Sequence, residues 1–98
     1  MSAGLSVIWQ RGLMMNKDEE QEAKRARLVH LKALGEKAYD EMYEVHSFEY
    51  ARACYGESKE CFAEAIKLAE ELGMMDEANS ITKRLDHIKA VFRSQFVQ

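Results

Sequence analysis

Proline is missing from this sequence, glycine occurs only five times among its 98 residues, and runs of β-branched residues are absent. Proline breaks helix interiors and β-branched residues favour strands, so little in the chain opposes helix formation. The helix-favouring residues Ala, Leu, Glu, Lys and Met are abundant instead. With 47% hydrophobic and 32% charged residues, the composition predicts one folded, all-α domain.

Long apolar runs and paired cysteines are also missing. No run reaches the roughly 20 residues that a membrane span needs, and residues 1–16 lack the basic start and longer apolar core of a secretory signal. Cys54 and Cys61 are seven residues apart. On one helix their Cα atoms would lie roughly 10 Å apart, which is too far for a disulfide. We interpret both as small buried thiols and expect a reducing, cytoplasmic location.

The sequence carries no recognisable motif for catalysis or metal binding. The three histidines, His30, His46 and His87, have no partner histidine at position i+4, and neither HExxH nor ExxH occurs. Glycine-rich phosphate loops are missing, and so are the long loops that usually carry active sites. We therefore expect a non-enzymatic protein without catalytic residues, metal or cofactor.

The charge balance argues against a nucleic-acid partner. The net charge is −3 and the isoelectric point lies near 5.6. Proteins that bind nucleic acids draw most of their affinity from a basic face. We expect a protein partner or a second copy of the chain instead.

Residues 48–72 organise the predicted fold, because two apolar stripes run side by side along them. The first stripe consists of Phe48, Ala51, Tyr55, Ser58, Phe62, Ala65, Ala69 and Leu72. The second, of mostly small side chains, consists of Cys54, Ser58, Cys61, Ala65, Leu68 and Leu72. Steps of three and four residues keep each stripe on one helical face. Both stripes keep their phase across Gly56, so we predict one continuous, central helix with a neighbour on each side.

Two further helices are predicted, from about Lys17 to Val45 and from about Glu77 to Phe96. The predicted N-caps are Asn16 for the first helix, Ser47 for the central helix and Asp76 for the third helix. The seam of the first helix consists of Leu28, Leu31, Gly35, Ala38, Met42 and Val45. The seam of the third consists of Ala78, Ile81, Leu85, Ile88, Phe92 and Phe96.

Two glycines have specific predicted roles. Gly35 lies on the seam of the first helix, where a missing side chain allows a neighbouring helix to approach closely; a kink is the alternative. Gly73 is the predicted left-handed residue that ends the central helix. The tight connections predict an up-down-up antiparallel three-helix bundle over residues 17–98.

Residues 1–16 form a separate apolar segment that contains no acidic residue. Its apolar side chains Leu5, Ile8, Trp9 and Leu13 fall on one helical face, and these four are the candidate interaction residues. The segment is either a flexible terminus or a flap that docks on an apolar groove, in its own bundle or in a second copy.

Two stretches of the chain resemble the tetratricopeptide repeat. They are Phe62-x2-Ala65-Ile66-x2-Ala69 and Leu31-x2-Leu34-Gly35-x2-Ala38. Gly73 and Asp76-Glu77-Ala78 resemble the turn and the start of the second helix in that motif. Both hairpins would share the central helix, so the chain is similar to two overlapping hairpins. Its use of Ala, Tyr and Leu is also similar to microtubule-interacting-and-trafficking domains.

Two functions remain open from the sequence. The resemblance implies a protein–protein interaction module that presents a helical groove to a partner helix or peptide. The alternative is a structural subunit whose exposed apolar surface is covered by self-association in a homo-oligomer, such as a homodimer. The mass in solution distinguishes the two.

Overall fold

The computed structural model describes residues 16–96, which form three helices. Helix α1 spans Lys17–Glu44, α2 spans Phe48–Glu71 and α3 spans Met75–Phe96. Helix α1 packs against α2, and α2 packs against α3. The all-α, up-down-up three-helix bundle with α2 in the middle is therefore confirmed, and α2 is continuous through Gly56. Within residues 16–96, no helix is both long and apolar enough to cross a membrane.

The starts of α1 and α2 are capped as the sequence predicts. The side chain of Asn16 accepts a hydrogen bond from the backbone N–H of Glu19 at 2.8 Å. The hydroxyl of Ser47 accepts one from the backbone N–H of Glu49 at 3.1 Å. Each cap satisfies a backbone donor that has no partner inside the helix.

Helix α2 ends at Glu71, and Gly73, just past the C-cap Leu72, has a left-handed φ of 73° as predicted. The N–H of Gly73 donates to the carbonyl of Glu70 at 3.0 Å, and the N–H of Met74 donates to that of Ala69 at 2.8 Å. These two bonds form a Schellman motif, which satisfies the last carbonyls of a helix.

The predicted start of α3 is wrong by two residues. The helix begins at Met75, directly after the Schellman turn, because the carbonyl of Met74 already accepts from the N–H of Ala78 at 2.9 Å. Asp76 is consequently not the N-cap and lies in the first turn of the helix. Its carboxylate still lies near the positive end of the helix dipole.

The core follows the predicted seams. The buried apolar side chains are Leu28, Leu31, Ala38, Met42, Ala51, Phe62, Ala65, Leu68, Ala69, Ala78, Ile81, Leu85, Ile88 and Phe92. Val45 and Phe96, at the ends of their seams, are only half-buried. The first turns of α1, before Leu28, are exposed apart from the half-buried Lys24. That stretch of helix extends past the core.

Gly35 of α1 lies directly against the ring of Phe62 in α2. A Cβ atom built on Gly35 would lie 2.7 to 2.9 Å from three ring carbons of the buried Phe62. Real Cβ atoms do not approach other atoms that closely, so Phe62 requires glycine at this position. The carbonyl of Gly35 also accepts a hydrogen bond from the hydroxyl of the buried Ser58 at 2.9 Å. The close approach explains this glycine, and α1 continues through it without interruption.

Ion pairs join α1 to α3 across the bundle. The Arg84 guanidinium donates two hydrogen bonds to the Glu36 carboxylate, at 2.7 and 2.8 Å. It also lies 4.9 Å from the ring centroid of Tyr39. Lys32 pairs with Glu77, nearer the end of the bundle where α3 begins. Because these pairs are partly exposed, each contributes little to stability.

Candidate functional site

Most aromatic side chains of the chain gather at one end of the bundle. In an up-down-up arrangement, the end of α1, the start of α2 and the end of α3 lie together. The aromatic residues on these three stretches are Tyr39, Tyr43, Phe48, Tyr50, Tyr55, Phe92 and Phe96. We call them the aromatic cluster.

Phe92 of α3 is the centre of the aromatic cluster. Its ring stacks on Tyr55 of α2, with centroids 4.0 Å apart and planes within 1° of parallel. Phe96 stacks on Phe92 at 5.6 Å, and Phe48 lies at 6.3 Å on a nearly parallel plane. Phe92 is buried, whereas Phe48 is 50% exposed. The cluster is therefore ordered by its buried centre and open to solvent at its edge.

Two tyrosines of α1 continue the aromatic cluster. Tyr39 and Tyr43 pack edge to face at 5.4 Å, and their hydroxyl oxygens are 3.1 Å apart. Tyr43 in turn contacts Phe96 at 6.1 Å. Partial burial of its hydroxyl and the hydrogen bond with Tyr39 raise the pKa of Tyr43 to about 12. Tyr43 is consequently protonated at neutral pH and unsuited to act as a base.

A groove of about 430 Å³ lies beside this cluster, between α2 and α3. Its lining residues are Phe48, Arg52, Tyr55, Gly56, Lys59 and Phe92. We call this surface the α2–α3 groove. Lys59 crosses the face of Tyr55, with its Nζ atom 5.0 Å from the ring centroid. The groove thus combines an aromatic floor with two positive charges.

Gly56 forms a gap in the wall of the α2–α3 groove. Apart from its chain neighbours and the local backbone of α2, no atom of residues 16–96 would lie within 4 Å of a Cβ atom built on Gly56. Glycine in a helix interior costs about 1 kcal/mol relative to alanine. The packing of the bundle therefore does not explain Gly56, in contrast to Gly35.

A second concavity, of about 490 Å³, lies at the connection between α1 and α2. It is lined by Val45, His46, Ser47 and Tyr50. Tyr50 is 69% exposed. Together with the half-exposed Phe48, it presents aromatic surface on both sides of the start of α2.

The cysteines lie at the edge of the core. Cys54 and Cys61 are half-buried, which corrects the prediction that they are fully buried. Cys61 packs against the core cluster that contains Phe62, and Cys54 packs against the one that contains Met42. Desolvation, and then the charges of nearby glutamates such as Glu57, raise the pKa of both thiols. A raised pKa disfavours the reactive thiolate.

Among residues 16–96, no group of three His, Cys, Asp or Glu side chains is placed to hold a metal ion. In the same part of the chain, no hydrogen bond joins a histidine to a cysteine or serine. The end of the bundle that holds the aromatic cluster presents apolar surface and the positive charges of Arg52 and Lys59.

The predicted candidate residues Leu5, Ile8, Trp9 and Leu13 lie outside the described residues. The aromatic cluster and the α2–α3 groove were missed by the sequence analysis. A signal for them existed: aromatic residues recur in the last turns of α1 and α3 and the first turns of α2. The predicted topology brings these turns to one end.

Comparison of the chain with protein-family models, with curated proteins and with solved structures returned no match. The resemblance to tetratricopeptide hairpins stays a prediction. The inference of function therefore depends on the geometry of the aromatic end.

Proposed function

We propose that this chain is a non-enzymatic protein–protein interaction module that presents a helical groove to a partner helix or peptide. The observation that carries the proposal is the exposure of Phe48 at the mouth of the α2–α3 groove. A half-exposed aromatic ring that rests on a buried one provides a fixed apolar contact for a partner. Exposed aromatic surface of this kind is typical of interaction sites.

The floor of the groove suits this role. A partner helix lays one apolar face into a groove between two helices, using anchors one turn apart. The floor formed by Tyr55 and Phe92 belongs to the core of the bundle, so binding there requires little reordering of the module. The resemblance to tetratricopeptide hairpins supports the same class of function. The two unpaired cysteines support a reducing, cytoplasmic location.

Selection from a random peptide library tests the proposed function. The full chain serves as bait, and enriched peptides are measured again against Phe48→Ala and against Val29→Ala. Val29 is 68% exposed on α1, outside the groove, and is the matched control. We expect Phe48→Ala to lower the affinity for the selected peptides at least tenfold, and Val29→Ala to leave that affinity unchanged. Equal binding to both variants contradicts the proposal.

Self-association is the second candidate function, and the same exposed rings favour it, because two copies can cover each other's Phe48 and Tyr50. Sedimentation equilibrium of the full chain over a wide concentration range distinguishes the two functions. An interaction module remains monomeric until its partner is added. A dimer that dissociates in Phe48→Ala, together with no enriched peptide, identifies the structural subunit instead.

A further inference from the structure

The α2–α3 groove is positively charged in a chain whose net charge is −3. Among the described residues, Arg52 and Lys59 are the only charged ones that line it. Like most Lys and Arg residues across 16–96, neither has a carboxylate oxygen within 4.0 Å, so both charges are available to a partner. Lys89 and Arg93, close to Phe92 along α3, are also without such a carboxylate in this range. Unpaired positive charge therefore borders an apolar floor.

The spacing of these charges leaves room for a side chain from outside. Arg52 and Lys59 are two turns apart on α2, roughly 10 Å along the helix axis. Gly56 lies between them, and within residues 16–96 no atom beyond the local backbone of α2 lies within 4 Å of the position that its Cβ would occupy. The bare backbone at Gly56 allows a partner to approach α2 more closely than any other residue would allow.

We infer that the α2–α3 groove binds an acidic amphipathic helix of another protein. An apolar side chain of that helix packs over Gly56 against Phe48 and Phe92. Its carboxylates, on the turns before and after this side chain, pair with Arg52 and Lys59. This inference rests on the proposed function and adds the chemical class of the partner. Complementary charge supplies specificity and a faster association rate, while the aromatic floor supplies apolar contact.

Other occupants fit the groove less well. Residues 1–16 carry Arg11 and no acidic side chain, so their charge does not complement Arg52 and Lys59. Two copies that faced each other through this groove would bring like charges together. A nucleic acid would be repelled by the net negative charge of the chain, and the face of Tyr55 that stacks on Phe92 is closed to bases.

The test uses the full chain and a synthetic helical probe of about five turns. The probe carries leucines at i, i+3, i+4 and i+7 on one face and glutamates beside that face. A matched probe has lysine in place of every glutamate. Fluorescence anisotropy gives both affinities, and amide shifts of the labelled chain locate the contact. We expect the glutamate probe to bind at least tenfold more tightly than the lysine probe, and its affinity to fall as salt is added. Its binding should shift the amide signals around Gly56.

Charge reversal gives the decisive variant. The double substitution Arg52→Glu with Lys59→Glu should reverse the preference, so that the lysine probe binds more tightly. Lys17→Glu with Arg25→Glu is the control, because it makes the same change in net charge on exposed residues of the first turns of α1. The control should keep the original preference. Gly56→Leu, placed in open space, should weaken binding of the glutamate probe about tenfold without lowering the unfolding midpoint.

Several outcomes overturn the inference. Equal affinity for both probes, or an unchanged preference after charge reversal, contradicts the role of Arg52 and Lys59. Selected library peptides that need Phe48 but show no acidic bias leave the proposed function intact and refute the acidic partner. Competition by a single-stranded oligonucleotide would identify a nucleic-acid site instead. Self-association that charge reversal abolishes would identify a second copy as the occupant.

Discussion

At the scale of single residues, we predict that replacing the two helical glycines, Gly35 and Gly56, with alanine has opposite effects on stability. Gly35→Ala places a Cβ atom 2.7 to 2.9 Å from the ring of Phe62, which is buried and has no space to move. The gain in helix propensity, about 1 kcal/mol, is then outweighed by overpacking, which typically costs about 1–3 kcal/mol. We expect a net loss of stability in urea unfolding followed by circular dichroism.

Gly56→Ala is the matched control for this prediction, because its new Cβ meets no atom within 4 Å. The same change of residue should therefore increase the free energy of unfolding, by about 0.5–1 kcal/mol. If both variants gain stability, the close approach of α1 to Phe62 is not as tight as described. If both lose stability, the helix does not pass through Gly56 in the way described.

Cys54 and Cys61 are expected to react slowly with thiol reagents in the folded chain. Burial and neighbouring glutamates raise the pKa of Cys54 and Cys61 above the ordinary value, so the thiolate fraction at pH 7 is lower than in a free thiol. Ellman's reagent should therefore react more slowly with the folded chain than with the chain in urea. The rate should rise as the pH is raised towards the thiol pKa. A folded rate that equals the rate in urea contradicts this picture.

At the scale of the helices, α3 is expected to be an integral part of the core. Leu85 is buried beside residues of all three helices. Leu85→Ala should lower the free energy of unfolding by about 2–5 kcal/mol, the usual range for a large-to-small change in a core. Lys83→Ala, at an exposed position of the same helix, is the control and should change stability by less than about 0.5 kcal/mol.

A chain that ends at Gly73 extends this test from one side chain to the whole of α3. It would remove from the core the buried α3 residues Ala78, Ile81, Leu85, Ile88 and Phe92, and we expect it to aggregate or to lose its cooperative transition. A truncated chain that stays folded and monomeric would show that α1 and α2 form the stable unit without α3.

The helices also show why the fold was more predictable than the site. Helix positions, seams and caps follow from local spacing and capping chemistry, as at Asn16 and Gly73. The start of α3 was misplaced because the Schellman turn at Met74 competes with Asp76 for that role. The α2–α3 groove depends on which faces of two helices are left uncovered by a third. Local periodicity at Phe48 or Arg52 does not contain that information.

At the scale of the whole molecule, the two ends of α1 differ. One end extends past the core, and the other carries the aromatic cluster. Helix α1 has 28 residues, so these ends are about 42 Å apart. The 15 residues before Asn16 would span about 22 Å as a helix and at most about 50 Å if fully extended. The helical face predicted for Leu5 to Leu13 therefore does not reach the aromatic cluster of its own chain.

Because the segment before α1 is, as a helix, shorter than α1, a prediction follows for Trp9, the only tryptophan. If the segment before α1 docks on the aromatic cluster as the predicted helix, a second copy must provide that cluster. Any blue shift and quencher protection of Trp9 should then grow with protein concentration and disappear in Phe48→Ala, while Val29→Ala behaves like the parent chain. Protection that is already complete at high dilution would mean docking within the same chain, near the start of α1. Exposed emission at every concentration would show that Trp9 does not dock and leave the aromatic end free for a different protein.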